Sequence, residues 1–175
     1  MVKLLRLAAA LVIAVTAMFA GHRLAYLPWR ADVERKRIET ITFALWERRP
    51  PFASVRARQN ISDARGYLDR GIDNTGLYMA AAANYRLLDD FGHAAEMYRR
   101  ALRYDRRPEL YFHLGLMEIN LGHRQAGIDM LIRAALFNPF LIQEIDENEI
   151  REKVEKAVHA RRYLPWLDQP SVVHQ

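Results

Sequence analysis

Six histidines and one dense acidic run are the side chains in this sequence most able to do chemistry. His22, His93, His113, His123, His159 and His174 could bind a metal or act as bases only if other donors met them at the right spacing. A helix brings two imidazoles together as H-x3-H, but neither that pattern nor HExxH occurs, and the chain contains no cysteine. His93 and His123 fall where inter-helix turns are predicted, a place where a polar residue is ordinary. The run Glu144-Ile145-Asp146-Glu147-Asn148-Glu149 lacks the glycine and alternating oxygens of a calcium loop. Acids placed ahead of Lys153 and Lys156 fit the start of a helix, where they oppose its dipole. Ser54, Ser62 and Ser171 have no nucleophile-like setting, and no GxSxG, Walker-type loop or dinucleotide fingerprint is present. The expectation is a protein that is not an enzyme and holds no metal and no cofactor.

Basic residues outnumber acidic ones by 26 to 21, which gives a formal charge of +5. A nucleic-acid surface gathers such charge on one element with interleaved aromatics. Here Arg35-Lys36-Arg37 and Arg48-Arg49 alternate with Asp32, Glu34, Glu39 and Glu47. That pattern reads as a solvated helix face, or one grazing anionic lipid headgroups, and no nucleic-acid partner is expected.

The strongly apolar material lies at the N-terminus. Leu7 to Ala20 is a run of fourteen residues without a charge, preceded by Lys3 and Arg6. As a helix it spans about 21 Å, short of the roughly 30 Å hydrocarbon core, which matches the apolar region of a signal peptide. The run resumes as Leu24-Ala25-Tyr26-Leu27 before Pro28-Trp29-Arg30, so a helix through residues 4–27 would cross a lipid bilayer with Arg6 and Arg23 snorkelling. A cleavage site after Ala20 would put Met18 where a small residue is preferred, which favours an uncleaved anchor. The flanking charges disagree about sidedness. Counted literally they keep the rest of the chain cytoplasmic, whereas a short basic tail before an apolar run is the layout of a bacterial signal-anchor with a periplasmic domain. The expectation is a single-pass protein of the bacterial inner membrane, its soluble part periplasmic, with the cytoplasmic side as the alternative.

The body repeats itself. Asn84 to Leu102 superposes on Met117 to Ala135 at an offset of about 33, each reading as helix, tight turn, helix. Ala94, Tyr98 and Ala101 in one copy match Gly127, Leu131 and Ala134 in the next, small-large-small on one helix face, where small residues admit a neighbouring helix. Ala64, Leu68 and Gly71 form a fainter third copy.

These residues resemble the tetratricopeptide repeat (TPR) family, a 34-residue helix-turn-helix unit. In Pro108–Leu141, Tyr111 stands at the tryptophan position, Leu114-Gly115 at the leucine-glycine pair, Gly122 at the turn, Gly127 and Ala134 at the small positions and Pro139 at the closing proline. In 75–107, Tyr78, Tyr85, Ala94, Tyr98 and Ala101 match, while Ala81-Ala82 replace leucine-glycine and Arg106 replaces the proline. Glu118 stands where an aromatic is usual. The resemblance implies an all-α protein: a transmembrane or signal-anchor helix, then an α-solenoid of two to three hairpins with a C-terminal capping helix. The divisions expected are a membrane or signal segment over 1–30, an amphipathic linker helix over 31–50, the repeat domain with its cap over 51–162, and an extended tail over 163–175 that Trp166 tacks down.

More finely, Val33, Ile38, Ile41 and Leu45 predict an amphipathic helix from Asp32 to Glu47 that Pro50-Pro51 stops. Phe52–Asn60 and Ser62–Arg70 are expected as a degenerate first hairpin, with Ser62 or Asn60 as the N-cap of its second helix. Leu141, Ile145, Ile150, Val154 and Val158 predict a capping helix from Leu141 to Arg161.

Members of the resembling family bind peptides or helices along the face made by each unit's first helix. The matching positions are Met79, Ala83, Arg86 and Leu87, then Phe112, Leu116, Ile119 and Asn120. They imply a groove that captures a segment of a protein partner. Alternatively, the chain's own N-terminal helix fills that surface through Ile38, Ile41, Leu45 and Trp46. The function expected is a membrane-tethered scaffold in a cell-envelope assembly. A structural single-pass subunit of a larger membrane complex and a secreted periplasmic adaptor are the alternatives.

Overall fold

The computed structural model describes residues 2–162 and is all-helical there, with no strand among the described residues. The predicted extended tail and Trp166 lie outside the described residues. The chain falls into two compact units, divided between Leu88 and Asp89.

The first unit begins with α1 (Val2–Gly21), a π-helical turn (His22–Tyr26) and α2 (Leu27–Arg48), which run on without a break. The sequence predicts a stop at Pro28-Trp29-Arg30, but the helix passes straight through. Pro28 carries no N–H and its ring crowds the carbonyls of the preceding turn. A widened turn just ahead of it, in which the Leu27 N–H donates to the His22 carbonyl, makes room for the ring without ending the helix. The resulting rod is roughly 70 Å long at 1.5 Å per residue.

Leu11, Val12, Ile13, Val15, Met18, Phe19 and Leu24 are each more than half exposed on this rod. It is the one helix among the described residues long and apolar enough to cross a membrane, by criteria that a signal sequence also meets.

Beyond Arg30 the same rod becomes part of a folded unit. Ala31, Ile38, Thr42 and Leu45 are its buried face, while Val33 of the predicted stripe is exposed and Ile41 only half-buried. The helix stops at Arg49, which takes a left-handed φ of 40° before Pro50. Packed against it are α3 (Ala53–Leu68) and α4 (Thr75–Leu87). The expected hairpin over 52–70 is therefore one 16-residue helix. Ser62 is no cap but an exposed mid-helix residue, and Asn60 is wholly buried. Gly71 is not a helical seat either: at φ 76° it turns the chain out of α3.

A buried polar chain fixes how these helices meet. The Asn84 amide on α4 donates to Thr42 Oγ1 on α2 and to the Ala80 carbonyl, both at 2.7 Å, and Asn60 Nδ2 on α3 donates to Asn84 Oδ1 at 3.1 Å. Thr42 passes its own proton to the Ile38 carbonyl at 2.7 Å.

The second unit contains α5 (Phe91–Ala101), α6 (Pro108–Asn120), α7 (Arg124–Phe137), a 3-10 turn (Pro139–Glu144) and α8 (Asn148–Arg162). Asp90 caps α5 by accepting from the His93 N–H, and Pro108 opens α6 where no donor is needed. Gly122 at φ 84° closes α6, with the His123 N–H reaching back to the Glu118 carbonyl at 2.9 Å.

Helices α6 and α7 cross at a pair of glycines. A Cβ placed on Gly115 would lie 2.9 Å from the Gly127 carbonyl oxygen, and one on Gly127 would lie 2.7 Å from that of Gly115. The small-large-small positions Ala94, Tyr98 and Ala101, then Gly127, Leu131 and Ala134, are all buried, as their spacing requires.

The expected capping helix starts later than predicted. Leu141 sits in the 3-10 turn, Ile145 is extended at φ −83°, ψ 112°, and α8 begins at Asn148. All five stripe residues are nonetheless buried in one core with Phe112, Ile128, Leu131 and Ile132. The acidic run supplies the start of α8 and meets basic partners. Arg124 pairs with Glu147 and Glu149, and Lys153 Nζ lies 2.7 Å from Glu149 Oε1. That lysine hydrogen bond, with Lys153 and Arg124 nearby, holds the Glu149 carboxyl below its ordinary value. A lowered folded-state value means the support is present above the ordinary carboxylate pKa and is lost as pH falls through the lowered one. In Lys153→Gln, carboxyl-carbon NMR should show Glu149 titrating at a higher pH than in the parent. An unchanged titration would mean that the pair does not persist in solution.

Candidate functional site

The eight predicted groove residues divide between the two units. Met79, Ala83, Arg86 and Leu87 project from α4 of the first unit and are half-buried. The chain's own α2 packs on α4, with Ile38 and Leu45 buried, and Arg86 lays its guanidinium over the Trp46 ring at 4.3 Å. In the second unit Phe112 is 3% exposed and belongs to the core shared with α7 and α8, so it is not available to a partner. Leu116 and Ile119 pack against the same core, and only Asn120 is exposed, donating to the Leu116 carbonyl at 2.8 Å. The physical reason is the helical cover that follows α7, whose apolar stripe needs a surface and takes the Phe112 face.

The histidines are dispersed. His22 stacks on Tyr26, His93 meets Asp90, His113 stacks on Tyr98 and His123 meets Glu118. His159 is exposed on α8, and His174 lies outside the described residues. Among the described residues no three His, Asp or Glu side chains come together as metal ligands would.

A different surface emerges on the opposite side of α6. Tyr111, Leu114 and Glu118 recur at i, i+3 and i+7 along α6, and Ala126, Met130 and Arg133 at i, i+4 and i+7 along α7. With Arg99 and Leu102 at the end of α5 and Arg106 in the following loop, they line a cleft of about 470 Å³. Leu102, Leu114, Ala126 and Met130 give it an apolar floor.

The charges around that floor are unequal. Glu118, with a side chain only 9% exposed, accepts from Arg99 on one oxygen and meets His123 Nδ1 at 2.8 Å on the other. A buried carboxylate needs such partners, because desolvation without them costs several kcal/mol, about the range for an unpaired buried ion. Arg99 is thereby neutralised. Arg133 lies over the Tyr111 ring at 5.4 Å, and neither it nor Arg106 has a carboxylate partner among the described residues. The cleft thus offers two guanidiniums, each with five donors, beside an apolar floor and an aromatic edge.

The cleft as a whole leaves no periodic signal in the sequence, but its members do stand out. Arg106 and Glu118 are two of the positions at which the resembling repeat pattern is broken, and Tyr111 stands where that pattern has tryptophan. Such departures are the available signal: a charge where packing alone would ask for proline or an aromatic. No family model matches the chain, and no curated protein matches it.

Proposed function

We propose that this chain is a membrane-tethered helical scaffold whose second unit captures an acidic segment of a partner protein in the cleft around Arg106 and Arg133. The observation that carries the reading is the cleft itself: two arginines with no carboxylate partner among the described residues, flanking an apolar floor. Carboxylates spaced along a strand or helix, with an apolar residue between them, satisfy both features at once. The exposed apolar rod supplies the tether through residues 4–27, a reading supported by the many large apolar side chains that face outward on one helix, as lipid-facing side chains do. We place the soluble units on the periplasmic side of a bacterial inner membrane, on the signal-anchor layout of Lys3, Arg6 and the run after them. The α6–α7 hairpin, with its crossing glycines, left-handed Gly122 and following Pro139, supports reading the body as a short TPR-like solenoid.

A defined probe tests the capture. Full-length chain in detergent micelles is titrated with a fluorescein-labelled peptide of alternating Glu and Leu, and with its Gln counterpart. Arg106→Glu/Arg133→Glu should weaken binding of the Glu peptide at least about tenfold, on the order of 1.4 kcal/mol, while circular dichroism stays unchanged. Binding of the parent should fall with added salt. Equal affinity for the Glu and Gln peptides would remove the proposal. Phe112→Glu is the uninformative variant, because it disrupts the core.

The alternative of a structural single-pass subunit is favoured only by the length of the exposed apolar rod. Exchanging residues 4–27 for an unrelated transmembrane helix should leave capture intact if the cleft is the functional surface.

A further inference from the structure

The first unit carries a contact that fixes its height above the bilayer, given the tether just proposed, on which this inference rests. Leu7 to Ala20 centres the apolar run between Ile13 and Ala14. Arg23 follows about ten residues later, roughly 14 Å along the axis at 1.5 Å per residue, or roughly 11 Å from the midpoint of the whole 4–27 tether, within snorkelling reach of the edge. Half of a hydrocarbon core is roughly 15 Å, so Arg23 lies at its edge, where a guanidinium snorkels to phosphate. Arg23 Nη2 donates to the backbone carbonyl of Arg70 at 3.3 Å. Arg70 opens the turn between α3 and α4, so this end of the turn lies within reach of the Arg23 side chain, while the start of α4 at Gly76 meets Arg35 further along the rod.

The residues around that contact are suited to the headgroup layer. Arg30 and Arg70 are exposed, and Tyr26 and Trp29 are 48% and 59% exposed on the rod beside the turn. The Arg70 guanidinium lies over the Tyr67 ring at 5.6 Å, which leaves its edge donors free to turn toward an anion. Arginine and amphipathic aromatics together form the composition of a membrane-interface contact. Asp69 and Asp73 also flank the turn, and Asp73 accepts from the Tyr78 hydroxyl at 2.8 Å. The surface is consequently not a diffuse basic patch; its grip on lipid depends on directed guanidinium–phosphate hydrogen bonds.

We propose that the α3–α4 turn is seated in the lipid headgroup layer, where Arg23, Arg30 and Arg70 hold the phosphates of anionic lipids beside Tyr26, Trp29 and Tyr67. The first unit then rides on the membrane surface as a collar around its own anchor.

The absence of native cysteine permits a direct test on the full chain. Single cysteines are introduced as Ile13→Cys in the apolar run, Gly66→Cys near the turn and Ser54→Cys at the far end of α3, roughly 18 Å from Gly66 at 1.5 Å per residue. A Cβ on Gly66 meets nothing within 4 Å, so that site accepts a label. The spin-labelled protein is reconstituted in nanodiscs of phosphatidylcholine, with or without phosphatidylglycerol, and the oxygen-to-nickel-chelate collision ratio is measured. Position 66 should show a ratio several-fold above that of position 54 and below that of position 13, and should rise when phosphatidylglycerol is present. The rise should vanish in Arg23→Gln/Arg70→Gln. If position 13 is lipid-buried while position 66 is as aqueous as position 54, the collar is wrong and the tether stands. If position 13 is itself aqueous, the tether fails and takes the collar with it. A rise at position 66 that persists in the double variant, or a ratio there unaffected by phosphatidylglycerol, would overturn the lipid-phosphate assignment.

Discussion

Replacing Gly127 by alanine is expected to destabilise the second unit by about 1–3 kcal/mol, the usual range for an added methyl group that a packed core cannot accommodate. The new Cβ would stand 2.5 Å from Ile119 Cγ1, 2.7 Å from the Gly115 carbonyl oxygen and 3.1 Å from the Ile119 nitrogen. Two of these three are backbone atoms of α6, which a rotamer change cannot move. The helices must separate, and the contacts of Leu131 and Ala134 loosen with them. This loss has to exceed the roughly 1 kcal/mol that alanine gains over glycine in a helix. Gly66→Ala provides the comparison: its Cβ meets nothing, so only the favourable helix preference remains, worth about 0.5–1 kcal/mol. Thermal unfolding of the detergent-solubilised chain should therefore move down for Gly127→Ala and up for Gly66→Ala. A neutral or stabilised Gly127→Ala would mean that α6 and α7 do not cross at that point.

The second large effect belongs to the first unit. Asn84→Leu should cost about 2–3 kcal/mol, since it removes two donated hydrogen bonds and leaves the buried Asn60 amide without its acceptor. Asn60 Oδ1 already has no partner among the described residues in its wholly buried position, so the site has little tolerance for a further orphan. Removing both amides is a different matter, because with apolar groups of similar size Thr42 Oγ1 loses one accepted bond but keeps its donation to the Ile38 carbonyl, and no buried amide is orphaned. Asn60→Leu/Asn84→Leu should accordingly lose much less stability than the sum of the two single changes. Denaturant unfolding of all three variants measures that coupling. Additive losses would show that Thr42, Asn84 and Asn60 do not act as one network.

What could be read from the amino-acid sequence divides along physical lines. Gly127, Leu131 and Ala134 announced a close helix contact because size alternation at i, i+4 and i+7 has few other causes, and those residues are buried. The left-handed turn at Gly122 was legible for the same local reason. Pro28 misled, since a proline in mid-helix ordinarily marks an end, and nothing in His22–Tyr26 signals that a wider turn will absorb it. Asn60 and Ser62 also misled: both residue types favour caps, yet Asn60 is held in mid-helix by Asn84, 24 residues away. The groove misassignment at Phe112 and the overlooked cleft share one cause. Which face of α6 stays open is decided by the irregular segment after α7, whose 3-10 turn and late-starting α8 cover one side and leave Tyr111, Leu114 and Glu118 on the other. No local periodicity records that choice.

The most direct measurement for the scaffold account is in-cell crosslinking from a photoreactive residue in place of Met130, on the cleft floor, with the same residue at exposed Phe43 on α2 as the comparison. The account predicts a membrane-associated adduct from position 130 that maps to an acidic segment of another protein and disappears in Arg106→Glu/Arg133→Glu. An adduct that survives the charge reversal, or one formed from position 43 with none from position 130, would contradict it.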